Sequence, residues 1–131
     1  MVRFLLEGDA SNGAVAVFEF DVPAGSPAPP PHSHDGYEET LYGLRGTLTW
    51  TVDGVRTAVG EGDVLHIPRG VVHQFENEGD VDATALAVVT PGILGQGYFR
   101  ELAALITAAA GVPPDLAEIG AIMRRHGLTP A

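Results

Sequence analysis

The sequence predicts a mainly β fold, a small sandwich or barrel, followed by a two-helix tail. Three observations carry that expectation. Glycine (17) and proline (10) are abundant for a chain of 131 residues, which favours many turns and short elements. Stretches rich in β-formers recur at roughly 8–12-residue spacing between turn signals, up to about residue 90. Beyond the "PGILGQG" segment at 91–97 the apolar period becomes that of a helix. The length fits one domain, with the β unit over residues 1–92 and the tail over 93–131, packed on the barrel or on a partner subunit.

The elements follow in order. "AVAVFEF" (14–20) is rich in β-formers and reads as a strand. "DVPAGSPAPPP" (21–31) cannot supply a ladder of amide donors, so it reads as an extended connector leading to His32. Residues 39–44 read as a strand. "TLTWTV" (47–52) alternates cleanly, Asp53-Gly54 is a favoured two-residue hairpin turn, and "VRTAV" (55–59) returns. After a turn at "GEGD" (60–63), "VLHIP" (64–68) is a strand stopped by Pro68, and another begins near His73 and Phe75. "NEGDVD" (77–82) is a solvated turn, and "ATALAVVT" (83–90) is a last, mostly buried strand. In the tail, Tyr98, Leu102, Leu105, Ile106 and Ala109 recur at helical spacing until Gly111 and Pro113-Pro114. Asp115 and Glu118 suit the first turn of a second helix, Arg124, Arg125 and His126 its last turn, and Gly127 the position just past its end.

Composition removes several function classes. There is no cysteine, so no disulfide, thiol nucleophile or thiolate ligand is available, and a metal is expected to be held by nitrogen and oxygen. All seven basic residues are arginines, which removes Schiff-base chemistry. The net charge of -10 argues against nucleic acid and anionic membranes as partners. The N-terminal "MVRFLLEGDAS" shows neither a signal-peptide pattern nor a bilayer-spanning run, so a cytoplasmic location is expected.

The chemistry concentrates in "PPHSHDGYEETLYGLRG" (30–46). His32 and His34 are two apart, so on a strand their imidazoles share a face. Glu39 lies at an odd offset from His34 and would face the other way on an unbroken strand, so a bend or bulge is expected at Asp35-Gly36. By alternation Glu38 faces solvent, and a slip of one residue would exchange the roles of Glu38 and Glu39. A second stretch, "GDVLHIPRGVVHQFEN" (62–77), brings His73 after two glycines and a proline that permit tight turns.

In these two stretches together the chain resembles the cupin family. The family's second motif, G-x5-P-x-G-x2-H-x3-N, is met by Gly62, Pro68, Gly70, His73 and Asn77. The first, G-x5-H-x-H-x3-4-E-x6-G, is met by His32, His34, Glu39 and Gly46, while Ser26 stands where its opening glycine belongs. The resemblance implies a small jelly-roll β-barrel in which His32, His34, Glu39 and His73 hold one divalent transition metal per chain: iron, manganese, nickel, zinc or cobalt. It also implies a small-molecule ligand or substrate and a homodimer. The chain also resembles, loosely, single-domain cupins related to quercetin dioxygenase. That likeness implies a dioxygenase-like enzyme acting on an enol, enediol or flavonol-type substrate, with Glu39 accepting the substrate's proton. A redox-neutral isomerase or cyclase, and a non-catalytic small-molecule binder, are the alternatives.

Phe18, Tyr42, Trp50, His66 and Phe75 are candidates for the pocket wall, since such pockets are mostly apolar with few polar groups. The aromatic ones serve equally as core residues. His66 has two readings, a pocket proton shuttle or a half-buried strand residue. Gly43 either widens the cavity or marks a bulge. His126 is expected to cap the second helix.

Overall fold

A computed structural model describes residues 1–26 and 28–131. Pro27, within the predicted connector, lies outside the described residues. The chain forms β1 (Val2–Leu6), a 3-10 turn (Gly8–Ser11), β2 (Ala16–Val22), β3 (His32–His34), β4 (Glu38–Arg45), β5 (Leu48–Val52), β6 (Val55–Val59), β7 (Val64–Ile67), β8 (His73–Glu76), β9 (Ala83–Thr90), α1 (Gln96–Ala108), α2 (Leu116–Arg125) and β10 (Leu128–Pro130).

Two five-stranded sheets form a sandwich, one ordered β1-β2-β9-β4-β7 and the other β10-β3-β8-β5-β6, with every described pairing antiparallel. Without β1 and β10, the eight remaining strands fall into the orders β2-β9-β4-β7 and β3-β8-β5-β6, the double-Greek-key arrangement of a jelly roll. The two added strands lie at sheet edges. Neither was anticipated: Val2–Leu6 reads only as a short apolar stretch, and Leu128–Pro130 is too short to show a period.

The core is set by strand alternation. In β2, Ala16, Phe18, Phe20 and Val22 are buried and the residues between them are half-buried. In β9 the inward positions are Ala83, Ala85, Ala87 and Val89. Those small residues stand beside the aromatics of β2, in register Phe18↔Ala87 and Phe20↔Ala85. Trp50 from the opposite sheet packs on Phe75, which packs on Phe20, with ring centroids 4.9 and 5.4 Å apart. Each such side chain, fully buried, contributes about 1.5–3 kcal/mol relative to exposure. Outward Leu86 and Val88 are half-covered, so "ATALAVVT" reads as continuously apolar although it alternates.

The tail docks on the sandwich. Phe99 of α1 packs against Phe4 and Phe18 at 5.9 and 5.2 Å, and Glu7 accepts hydrogen bonds from the Gln96 backbone and side-chain nitrogens. Asp115 caps α2 by accepting from the Ala117 amide at 2.8 Å, and Gly127 turns the chain out of the helix at φ 83°. His126 pairs with Glu101 of α1 at 2.8 Å, so it staples the two helices together. None of the described helices is long and apolar enough to cross a membrane.

Gly43 marks both a bulge, where the β4–β9 register shifts before Arg45, and a close approach. A Cβ on it would lie 1.9 Å from the Gly60 carbonyl oxygen. That carbonyl belongs to the turn holding Gly62, whose amide donates to the Gly43 oxygen at 2.9 Å. Gly43→Ala is therefore expected to destabilise the protein by about 1–3 kcal/mol, read from denaturant unfolding. An unchanged midpoint would contradict the close approach.

Candidate metal centre

The three histidines converge from two strands of one sheet. His32 and His34 project from the same face of β3, and His32 lies directly across from His73 of β8. One nitrogen from each lies within 4.8 Å of the others. Ring centroids are 5.1 Å apart for His32–His34, 4.7 Å for His32–His73 and 4.5 Å for His34–His73. The glycine turn after β7 makes this possible. Gly70 adopts φ 75° and its amide donates to the His34 carbonyl at 2.8 Å, tying the second motif to the first. Asn77, buried at the end of the second motif, donates to the carbonyls of Val22 and Val81 and accepts from the Gly79 amide, so it fixes the following turn.

Backbone carbonyls orient two of the rings. The Val71 oxygen lies 3.0 Å from Nδ1 of His73 and the Pro30 oxygen 3.1 Å from Nδ1 of His32. A carbonyl only accepts, so Nδ1 carries the proton and Nε2 is left with a lone pair. Nε2 of His73 and Nδ1 of His34 are buried with no hydrogen-bond partner among the described residues. A buried polar atom without a partner is costly, and a divalent ion satisfies a cluster of such lone pairs at once. The donor set, neutral imidazoles and a carboxylate without sulfur, fits a first-row transition metal.

Glu39 reaches the cluster from the other sheet. The expected bend at Asp35-Gly36 is not a bulge within one strand: the chain leaves β3 and crosses to β4 in the facing sheet. On β4, in register with Ile67 and Val89, Glu39 points inward and its Oε1 is 3.8 Å from Nε2 of His73. Glu38 points out, toward His66 and Arg69 at 3.5 and 3.6 Å. Burial pushes the Glu39 carboxyl up to about 7.

The pocket candidates divide. Trp50 and Phe75 share the inner face with His73, the Trp50 and His73 rings being 6.4 Å apart. Phe18 is a core residue stacked on Phe4 at 4.8 Å. Tyr42 and His66 do not line the interior. Both stand on the outward face, opposite in alternation to Glu39 and Leu41, and His66 Nδ1 pairs with the Thr40 hydroxyl at 2.9 Å. Tyr37 was missed. It is fully buried and stacks on His34 at 4.4 Å with planes 20° apart, its hydroxyl lacking a partner among the described residues. Its place in the loop between two sheets left no periodicity to find it by. Tyr98 is also buried, and burial together with the Glu39 charge raises both phenols above their ordinary range.

Residues 18–89, just over half of the chain, match the cupin domain. The chain belongs to the cupin family. Quercetin 2,3-dioxygenase of Bacillus subtilis (strain 168) is 32% identical to this cupin over 71 residues, covering 54% of this chain and 20% of that protein. Germin-like protein subfamily 2 member 1 of Arabidopsis thaliana is 31% identical over 91 residues, 66% of this chain and 40% of that protein. The cupin thus spans between a fifth and two fifths of the length of these relatives. The crystal structure of a predicted oxalate decarboxylase from Thermotoga maritima superposes with a TM-score of 0.63 at 31% identity, over 69% of this cupin and 78% of that chain.

The buried imidazoles make stability depend on pH. Burial, then the neighbouring His73, lowers His32 from 6.5 to about 4; burial, then His73 and His32, lowers His34 to about 2; burial lowers His73. Each group binds its proton more weakly folded than unfolded, so its contribution is present above about pH 6.5 and is lost as pH falls, toward about 4 for His32 and about 2 for His34. Glu39, raised from 4.5 to about 7, acts oppositely: folding gains as pH falls through that interval. Three imidazoles outweigh one carboxyl. The melting temperature of metal-free protein is expected to drop between pH 6.5 and 4.5, less steeply in His73→Gln. Equal slopes in the two proteins would contradict a buried, neutral His73.

Proposed function

We propose that this cupin is a metal-dependent, dioxygenase-like enzyme acting on a small enol, enediol or flavonol-type molecule. Supporting it most directly is the set of three imidazoles, each with one nitrogen within 4.8 Å of the others, with the Glu39 carboxylate beside His73. His32, His34 and His73 would hold one divalent ion, joined by Glu39. Such an ion supplies Lewis acidity, which lowers the pKa of a substrate hydroxyl and stabilises its anion.

The chain's own residues provide the remaining parts. The carbonyls of Pro30 and Val71 hold His32 and His73 in the tautomer that leaves Nε2 free. Trp50 and Phe75 give His73 aromatic neighbours on the inner face of its sheet. Glu39, 3.8 Å from His73, is the group placed to take the proton of a substrate hydroxyl bound there. Its burial among apolar side chains keeps bulk water from competing for that proton. The quercetin dioxygenase likeness favours an oxygen-consuming reaction over isomerisation.

Protein purified without chelator is expected to carry one divalent metal per chain, measured by elemental analysis. His73→Ala should weaken binding by about 100-fold or more, since losing even a group that merely orients a ligand costs about 10–100-fold. The iron, manganese or nickel form should consume oxygen with flavonols or enediols. Full metal content in His73→Ala would overturn the site. Metal binding without oxygen uptake across the panel would overturn the dioxygenase assignment and leave an isomerase or a binding protein.

A further inference from the structure

The strand that carries two of the three histidines is poorly held by the jelly roll itself. β3 is three residues long; its register with β8 consists of the single pair His32↔His73, and beyond it the Gly70 amide on the His34 carbonyl ties it to the second stretch. In the eight-strand order β3 would be the outer edge of its sheet. Edge strands have one ladder of backbone partners and open readily.

β10 supplies the missing neighbour. Leu128 pairs with His34, Thr129 with Ser33 and Pro130 with His32. Beyond the strand, the Ala131 amide donates to the Pro31 carbonyl at 3.0 Å. The Thr129 hydroxyl donates to the Asp35 carboxylate at 2.6 Å, immediately after His34. Leu128 is 2% exposed. The strand is anchored behind as well: Ile119, Ile122 and Met123 of α2 are buried, and Gly120 lies against Pro130. Tyr37, stacked on His34, also approaches Gly127, where an added Cβ would lie 3.8 Å from its ring.

Resting on the metal centre proposed above, we infer that the C-terminal strand Leu128–Pro130 is a positioning element of that centre, a clamp that fixes His32 and His34 against His73. Leu128 and Thr129 touch neither metal nor substrate; they act through the backbone of β3. Two consequences follow. Loosening the clamp weakens metal binding more than a comparable loss of stability elsewhere does. By linkage, metal binding tightens the clamp to the same degree.

The test is a Co(II) titration of the full-length chain, read by visible absorption and by quenching of Trp50, the single tryptophan. Leu128→Ala is expected to raise the Co(II) Kd about tenfold or more, and Thr129→Val, which removes only the bond to Asp35, severalfold. Val59→Ala, a buried truncation on β6 at the far edge of the same sheet, serves as the control and should leave Kd unchanged. Hydrogen exchange should show Co(II) protecting amides 32–34 together with those of Leu128, Thr129 and Ala131. The inference is overturned if Leu128→Ala binds like the wild type, if Val59→Ala weakens binding equally, or if Co(II) protects 32–34 alone. Should Leu128→Ala fail to fold, Thr129→Val decides by the same comparison. If the wild type takes up no Co(II), the metal centre itself falls. The clamp then stands or falls on whether amides 32–34 lose protection in the clamp variants while 48–52 keep theirs.

Discussion

Three imidazoles pressed together in a protein interior cannot all be charged, and their unshared lone pairs repel unless something occupies the point they face. That constraint organises this molecule. His32, His34 and His73 are held neutral by burial, with nitrogens within 4.8 Å of one another, and backbone carbonyls fix the tautomers of two of them. An arrangement that is costly when empty becomes favourable when one cation accepts several nitrogens at once. The glycine turns, the crossing between sheets and the apolar lining are what the surrounding chain needs to hold it.

The two sheets divide the work. One brings the nitrogens, the other the carboxylate. Glu39 meets His73 across the interior because the chain changes sheets between His34 and Glu38, where continuation in one strand would have turned Glu39 away. The Gly70 amide bonded to the His34 carbonyl couples the two halves of the sequence pattern at the backbone, so neither stretch is positioned alone. The tail joins the same assembly. Its last strand lies beside the histidine strand, and its first helix buries Tyr98 in the core close enough for the Glu39 charge to be felt.

Most of the β framework was legible because alternation and turn chemistry are local signals. The hairpin at Asp53-Gly54 and the strands around it lie where their residues put them. Both helices were legible from apolar spacing, and Asp115 and Gly127 mark the ends of the second. The histidine cluster was legible from spacing together with family likeness. Strands β1 and β10 were not, being short edges whose pairing is decided by distant partners. Residue type made Tyr42 and His66 candidates for the pocket wall, whereas period-two alternation sends them outward with Glu38 and Thr40. Tyr37 escaped because a residue in a crossing between sheets obeys no period, and only the folded chain shows it lying on His34.

The proposed centre rests on one ion being shared by side chains from both sheets. X-ray absorption fine structure of the metal-loaded protein measures that sharing directly. The account predicts histidine scattering from three imidazoles and one carboxylate oxygen, with one imidazole lost in His73→Ala. A spectrum of oxygen ligands alone, or one unchanged by that substitution, would contradict it.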